Sequence, residues 1–409
     1  MRRGFTYGFL TIKRLGGGKM NDLAKKLLAL VDKDRIKGTL FDLVRVPSPT
    51  GEVGAFANHF AAELKDAGVT DVKLVETKGW PNSPSVVGRR RGVSSRPTLH
   101  FDAHMDHIRH DHVQPYMEGD RIVGRGAADM KFGLAAIIEL IRVLRAIELP
   151  GDLLVTGHDL HEAPIGHGEG VRTLIREGYL GDAVIVVEGP KDEIYLNGKS
   201  NSIFEIDLKL RGGSVHELNA TRDMPNLIEI GADTARALKG LQNRLSQRCE
   251  DVLGPETLFL GMLRAGDFYN RLPKSCNIVG TRRFPPETER TDVEQELRDA
   301  VVSVTCGLPI EVRVDASRGD DGFRLSADEP IVKTVRSAYQ EVTGRPLPIG
   351  IQLFAADNAK FINWGHVPCV GYGIGLERAH ADLEWCDIND VVHVVRVLLV
   401  TTLNFFGLT

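Results

Sequence analysis

Apolar residues recur at helical spacing from Asp22 to Leu43, and the pattern stops at Val46-Pro47-Ser48-Pro49, where two prolines end it. A second amphipathic pattern covers Val53 to Ala67. Strand-like runs follow at Val72–Val75, Ser85–Gly88 and Thr98–Ala103. The stretch Met130 to Ile147 predicts a long buried helix, with Leu134, Ile137, Ile138, Leu140, Ile141 and Leu144 covering its face. A strand at Asp152–Thr156, a helix near Val171–Glu177 and an apolar strand at Ala183–Val187 come next. Strands alternating with helices in this way predict an α/β domain with a mixed, mostly parallel sheet flanked by helices.

The pattern changes near Asn197. Ile203–Leu210 reads Ile-Phe-Glu-Ile-Asp-Leu-Lys-Leu, the alternation of a half-buried strand. A helix at Ile228–Asn243, a strand at Cys276–Thr281, a helix at Thr291–Cys306 and a strand at Ile310–Val314 complete an α+β sandwich with one open sheet face. The polar, glycine-rich Asp315–Gly322 is a candidate hinge. The α/β pattern then resumes with a helix at Ile331–Thr343, a strand at Val367–Gly371 and a helix at Ile388–Asn404. The expected organisation is one α/β domain over residues 20–198 and 317–409, interrupted by an inserted domain at 199–316. Residues 1–19 have a basic start, a broken apolar patch and no small-residue cleavage site. They read as an unstructured extension or an early start, with Met20 as the alternative.

Composition narrows the function classes. Across 409 residues, 42% hydrophobic and 26% charged positions exclude a disordered chain or a coiled coil. Lys+Arg number 51 against 55 Asp+Glu, so no basic surface for nucleic acid is expected. No uninterrupted apolar run approaches the roughly 18–20 residues of a membrane helix, so no membrane partner is expected. Five scattered cysteines suggest free thiols in a reducing, cytoplasmic setting.

Five polar groups stand at strand ends or glycine-rich loops. His104 and Asp106, two apart at a strand end, point the same way, so Asp106 could orient a metal-bound His104. Alone the pair is a weak signal, and a satisfied surface or core histidine is the readier explanation. Asp129, in Gly124-Arg125-Gly126-Ala127-Ala128-Asp129-Met130-Lys131, either caps the following helix or enters a metal pocket. His161-Glu162 follow one strand, and Glu188 follows the apolar Ala183–Val187. His380 lies in Arg378-Ala379-His380-Ala381-Asp382-Leu383-Glu384. A His, Asp and Glu set without thiolate suits zinc or a similar divalent ion. His100, His107, His110 and His112 crowd the same region and suggest an extra metal or proton-relay site, or simple loop residues.

The ordered set HMD, GRGAADMK, HE, VEGP and AHADLE resembles the co-catalytic zinc hydrolases that include acetylornithine deacetylase, succinyl-diaminopimelate desuccinylase, aminoacylase and glutamate carboxypeptidase. The resemblance spans about Val44 to Phe406. It implies a zinc-peptidase-like catalytic domain with an inserted lid and dimerisation domain. It also implies two divalent ions, zinc first with cobalt or manganese as substitutes, and a homodimer acting on a small molecule. Within it, His104 and Glu188 bind the first ion, Asp129 bridges, and Glu162 and His380 bind the second, while Asp106 orients His104. The family carries a Glu-Glu pair where this chain has His161-Glu162, its first Glu being the general base. Three readings follow: His161 as base or proton shuttle, Glu162 as base with an incomplete second site, or lost hydrolysis. His216 resembles the histidine that stabilises the oxyanion of a partner subunit, and Asn226 is a nearby substrate contact. Arg283 resembles the carboxylate-binding arginine, although Thr281 stands where the family has aspartate. The implied reaction is hydrolysis of an N-acyl amino acid or dipeptide-like amide; the alternatives are an inactive metal-binding relative and a hydrolase of ureido or carbamoyl compounds.

Overall fold

The computed structural model describes residues 21–409 apart from Ala355 and Leu376, so the extension expected at residues 1–19 lies outside the described residues. The chain forms two compact units, one of residues up to 194 with 326–349 and 360–409, the other of 195–325 with 350–359.

The first unit is built on a six-stranded sheet. Its order is Asp71–Thr77, Trp80–Arg90, Leu153–His158, Leu99–His104, Ala183–Val186 and Cys369–Gly371. The first two pairings are antiparallel and the remaining three parallel, a mixed sheet with a parallel half. Helices cover both faces, because the strands of the parallel half are buried throughout. On one face Gly157 lies against Phe60 and Gly88 against Leu64 and Val155, so the helix Gly54–Asp66 packs there. On the other, Leu154 clusters with Leu174 of the helix Glu169–Arg176, and the His100 ring meets Phe361 edge-on.

Three element expectations change. The helix over Asp22–Leu43 is two helices, Asp22–Leu28 and Lys33–Arg45; Asp32 caps the second by accepting the N–H groups of Asp34 and Arg35. The strand at Asp152–Thr156 runs on to His158. The helix expected from Met130 begins at Phe132 and ends at Leu144. The helix Ile388–Phe405 is long and apolar enough to cross a membrane by length and composition alone, with mean hydropathy 1.4. It interrupts its apolar positions with Asp390, His393 and Arg396, and 61% of it is buried inside the fold.

The second unit is a four-stranded antiparallel sheet in the order Thr257–Ala265, Ser275–Phe284, Ser200–Leu210 and Ile310–Arg318. Alternation along Ser200–Leu210 buries Phe204, Ile206 and Leu208. These pack with Leu238 and Leu241 of the helix Leu227–Leu245 and with Leu297 and Val301 of the helix Arg290–Thr305. Part of the candidate hinge, up to Arg318, belongs to the last strand.

Candidate active site

Strands Leu99–His104, Leu153–His158 and Ala183–Val186 run parallel, so their carboxyl ends reach one edge of the sheet, the usual place for a site in such folds. His104 ends the first strand and pairs with His158. The chain beyond His158 brings His161 and Glu162, and the chain beyond Val186 brings Glu188. Asp106 is fully buried, and its carboxylate accepts the backbone N–H groups of His161 at 3.2 Å and Glu162 at 3.0 Å. His104 Nδ1 lies 3.6 Å from that carboxylate but 3.0 Å from the Asp106 main-chain oxygen. The carbonyl therefore orients the imidazole more directly than the carboxylate, while the carboxylate anchors the His161-Glu162 turn.

Asp129 occupies a non-helical turn, with φ −139° and ψ 92°. No side chain caps the helix that follows, so the helix-cap alternative for Asp129 does not hold. Its carboxylate instead lies 3.1 Å from His104 Nε2 and 3.3 Å from His380 Nε2. His380 adopts a left-handed backbone, φ 59°, and places Nε2 3.0 Å from Glu162 Oε1. His104, Asp129 and Glu162 bring ligand atoms within 4.8 Å of one another, as do His104, His161 and Glu188.

The charges favour a cation. Burial opposes a proton on His104, yet hydrogen bonds to Asp106 and Asp129 outweigh it and hold the imidazole well above its ordinary range. Hydrogen bonds to Asp129 and Glu162 push His380 up to about 10. Burial would raise the Asp129 carboxyl, but His104 and His380 pull it below the usual carboxylate range. Imidazoles that cling to protons among buried carboxylates mark a site short of positive charge. Divalent ions supply that charge and displace the protons. The nitrogen and oxygen donors therefore fit zinc or a similar ion.

His161 stacks flat on His104, ring centroids 4.1 Å apart and planes within 2°. Parallel rings aim their nitrogen lone pairs along parallel planes, so a single ion cannot lie in the plane of both. His104 meets Asp129 through Nε2, while a ring nitrogen of His161 groups with His104 and Glu188.

Sequence reasoning missed the polar column behind the site. His100 Nε2 donates to Thr156 Oγ1 at 2.7 Å, the Thr156 hydroxyl donates to the Asp102 carboxylate, and His158 Nδ1 lies 3.3 Å from Asp102. All four residues are fully buried. Burial pushes His100 down to about 4, so it stays neutral. Their signal was present as polar residues at every second position of two apolar strands. His107 and His112 instead accept backbone N–H groups of Ser48 and Glu384, at 3.1 and 2.8 Å, and neither joins the donor groups above.

The remaining three candidates belong to the second unit. His216 is exposed and starts a short turn, with Nδ1 accepting the N–H of Leu218. Asn226 caps the helix Leu227–Leu245 by accepting the N–H of Ile228. Arg283 is half-buried on its strand and donates to the Leu353 carbonyl at 2.9 Å. Its neighbour Arg282 is buried against Glu256 and Glu296 and cannot serve a ligand.

Residues 100–404 match the pattern of the peptidase family M20/M25/M40. The chain belongs to this family. It is thereby a hydrolase of amide C–N bonds that uses divalent metal. Among curated relatives it is 24% identical over 365 residues to N-formyl-4-amino-5-aminomethyl-2-methylpyrimidine deformylase of Bacillus subtilis (strain 168), covering 78% of this chain and 82% of that one. It is 26% identical over 335 residues to succinyl-diaminopimelate desuccinylase of Caulobacter sp. (strain K31), covering 76% and 82%. The fold is shared with a tripeptidase of Staphylococcus aureus, TM-score 0.76 at 20% identity over 91% of this chain and 98% of that one. It is shared equally with human carnosine dipeptidase 1, TM-score 0.76 at 16% identity over 95% and 99%.

Proposed function

We propose that the protein hydrolyses the amide of an N-acyl amino acid or dipeptide-like compound carrying a free carboxylate, using two divalent ions, zinc foremost, as a cytoplasmic homodimer. The observation that carries this reading is the meeting of His104, Asp129, Glu162, Glu188 and His380 at one sheet edge. His104 and Glu188 would hold one ion, Glu162 and His380 the other, and Asp129 both. Bound there, such ions acidify a water and polarise the amide carbonyl.

The protein's own residues do the rest. His161 accepts the water proton at its ring nitrogen. The water oxygen bonds to the carbonyl carbon, the C–N bond breaks, and His161 returns the proton to the departing nitrogen. Asp106 fixes the His161 backbone for this task. In the second unit, His216 is assigned to the oxyanion, Asn226 to a substrate contact and Arg283 to the substrate carboxylate. The exposed edge strand Thr257–Ala265 supports the homodimer, and five free thiols support a reducing compartment.

The imidazole at 161 also favours a second reading, hydrolysis of ureido or carbamoyl compounds or binding without turnover. One panel separates them: N-formyl, N-acetyl and N-succinyl amino acids, dipeptides and N-carbamoyl amino acids, with zinc, cobalt or manganese and a parallel metal count. Metal-dependent amine release from the acyl or dipeptide members is expected. Turnover of the carbamoyl members alone, or none with metal bound, would overturn the first reading.

A further inference from the structure

Asp129 and His380 come from segments far apart in sequence, and neither sits in a regular helix or strand. Asp129 lies in a non-helical turn and His380 in a left-handed conformation within a loop. Something other than backbone periodicity must set the spacing between their side chains.

The surrounding contacts converge on two residues that the site above does not use. Glu384 is buried, 1% exposed. One of its oxygens, Oε1, accepts the backbone N–H groups of Ala128 at 2.9 Å and Asp129 at 3.1 Å. The other, Oε2, accepts Arg125 Nη1 at 3.0 Å. The same Arg125 nitrogen donates to the carbonyl of Ala381 at 3.0 Å, the residue directly after His380. Outside this knot the segments are also stitched by backbone: Gly124 N–H donates to the Glu384 carbonyl, and the strand Trp385–Asp387 pairs with Arg121–Val123. That ladder stops before either functional residue. From there one carboxylate and one guanidinium carry the connection.

We infer that Arg125 and Glu384 form a positioning pair that sets the separation of Asp129 and His380, and so the affinity of the ion those two residues share. The inference rests on the two-ion reading above. Neither residue touches an ion or substrate; each acts through the backbone beside a donor. The pair is well suited to this. A carboxylate can take two N–H groups and a guanidinium at once, and Arg125 serves the carboxylate and the carbonyl through one nitrogen, Nη1, at a reach one bond beyond that of a lysine ammonium. Loss of an outer partner of this kind typically costs about 10- to 100-fold in metal affinity. His104 and Glu188 are carried on the strand ends themselves, so their ion should feel the loss much less.

The test is stepwise zinc and cobalt titration of the full-length apo-protein, with the cobalt absorption spectrum recorded at each step. Unmodified protein, Glu384→Gln and Arg125→Lys are compared. Glu384→Gln keeps the shape but sets an amide nitrogen or a neutral oxygen against Arg125. Arg125→Lys keeps the buried charge but ends one bond short of the Nη1 position, so it guards against a fold lost through an unpaired carboxylate. Both variants should bind the first ion as the unmodified protein does and the second about 10- to 100-fold more weakly, with an altered cobalt spectrum only in the second step. Unchanged affinity for both ions in Arg125→Lys and Glu384→Gln would overturn the inference and leave the two-ion reading intact. Equal weakening of both ions would also overturn it, since that is the mark of a general structural role. Fewer than two ions on the unmodified protein would sink the two-ion reading, and this inference with it.

Discussion

With an imidazole rather than a carboxylate at position 161, the proton-transfer role and the ligand role have to be told apart at a single side chain. The two rings lie in parallel planes, His104 turns Nε2 onto Asp129, and His161 also groups with His104 and Glu188. On the proposed base role, His161→Ala should lower turnover by about 10²- to 10⁴-fold, the usual worth of a positioned general base, while metal content stays that of the unmodified protein. Rate and bound metal are measured on the same sample. An unmodified rate removes His161 from the mechanism, and a lost ion makes it a ligand. The neighbouring Asp106 shows how a residue can be found for an incomplete reason. Its spacing from His104 pointed to the imidazole, but its carboxylate spends its hydrogen bonds on the N–H groups of His161 and Glu162.

Among the elements, the helix Phe132–Leu144 is the one whose seating the site depends on. Gly133 lies in its first turn, and a Cβ there would come within 2.6 Å of the Val187 carbonyl, next to Glu188. Alanine in a helix interior gains up to about 1 kcal/mol over glycine. Overpacking against backbone costs about 1–3 kcal/mol, so the clash should win. Gly133→Ala is expected to lower stability in a urea unfolding curve; higher stability would show that the helix can slide without penalty. The long apolar period of this helix was legible in the sequence, as was the strand Ala183–Val186, because burial on both faces leaves a near-continuous apolar run that stops abruptly at Glu188. The Asp129 turn was not, since small residues before a helix read equally as a cap. The edge strand Thr257–Ala265 also escaped notice. Leu258, Phe259, Leu260, Met262 and Leu263 place apolar side chains on both faces, and its register shifts between Leu260 and Met262, which hides a period of two.

That same strand matters for the whole molecule. Among the described residues, one side of its backbone has no partner strand in the sheet, and it exposes Phe259, Met262 and Leu263, a combination that natural sheets usually cover. The proposed homodimer would cover it, by a second copy of the chain pairing along this edge. Sedimentation of the unmodified protein should give a dimer, and Phe259→Lys combined with Leu263→Lys should give a monomer that still binds metal. A monomeric unmodified protein would remove the homodimer from the proposal.

The order of the donors along the chain has a consequence for how the site comes into being. His104, Asp129, Glu162 and Glu188 are all made before the second unit begins at residue 195, whereas His380 is added only after that unit is finished. Synthesis proceeds from the amino terminus, so the four earlier residues and His380 are separated in time by the whole of that unit. On the proposed ligand assignment, the second ion position joins Glu162, made before the inserted unit, to His380, made after it, so that position is assembled only across the insertion.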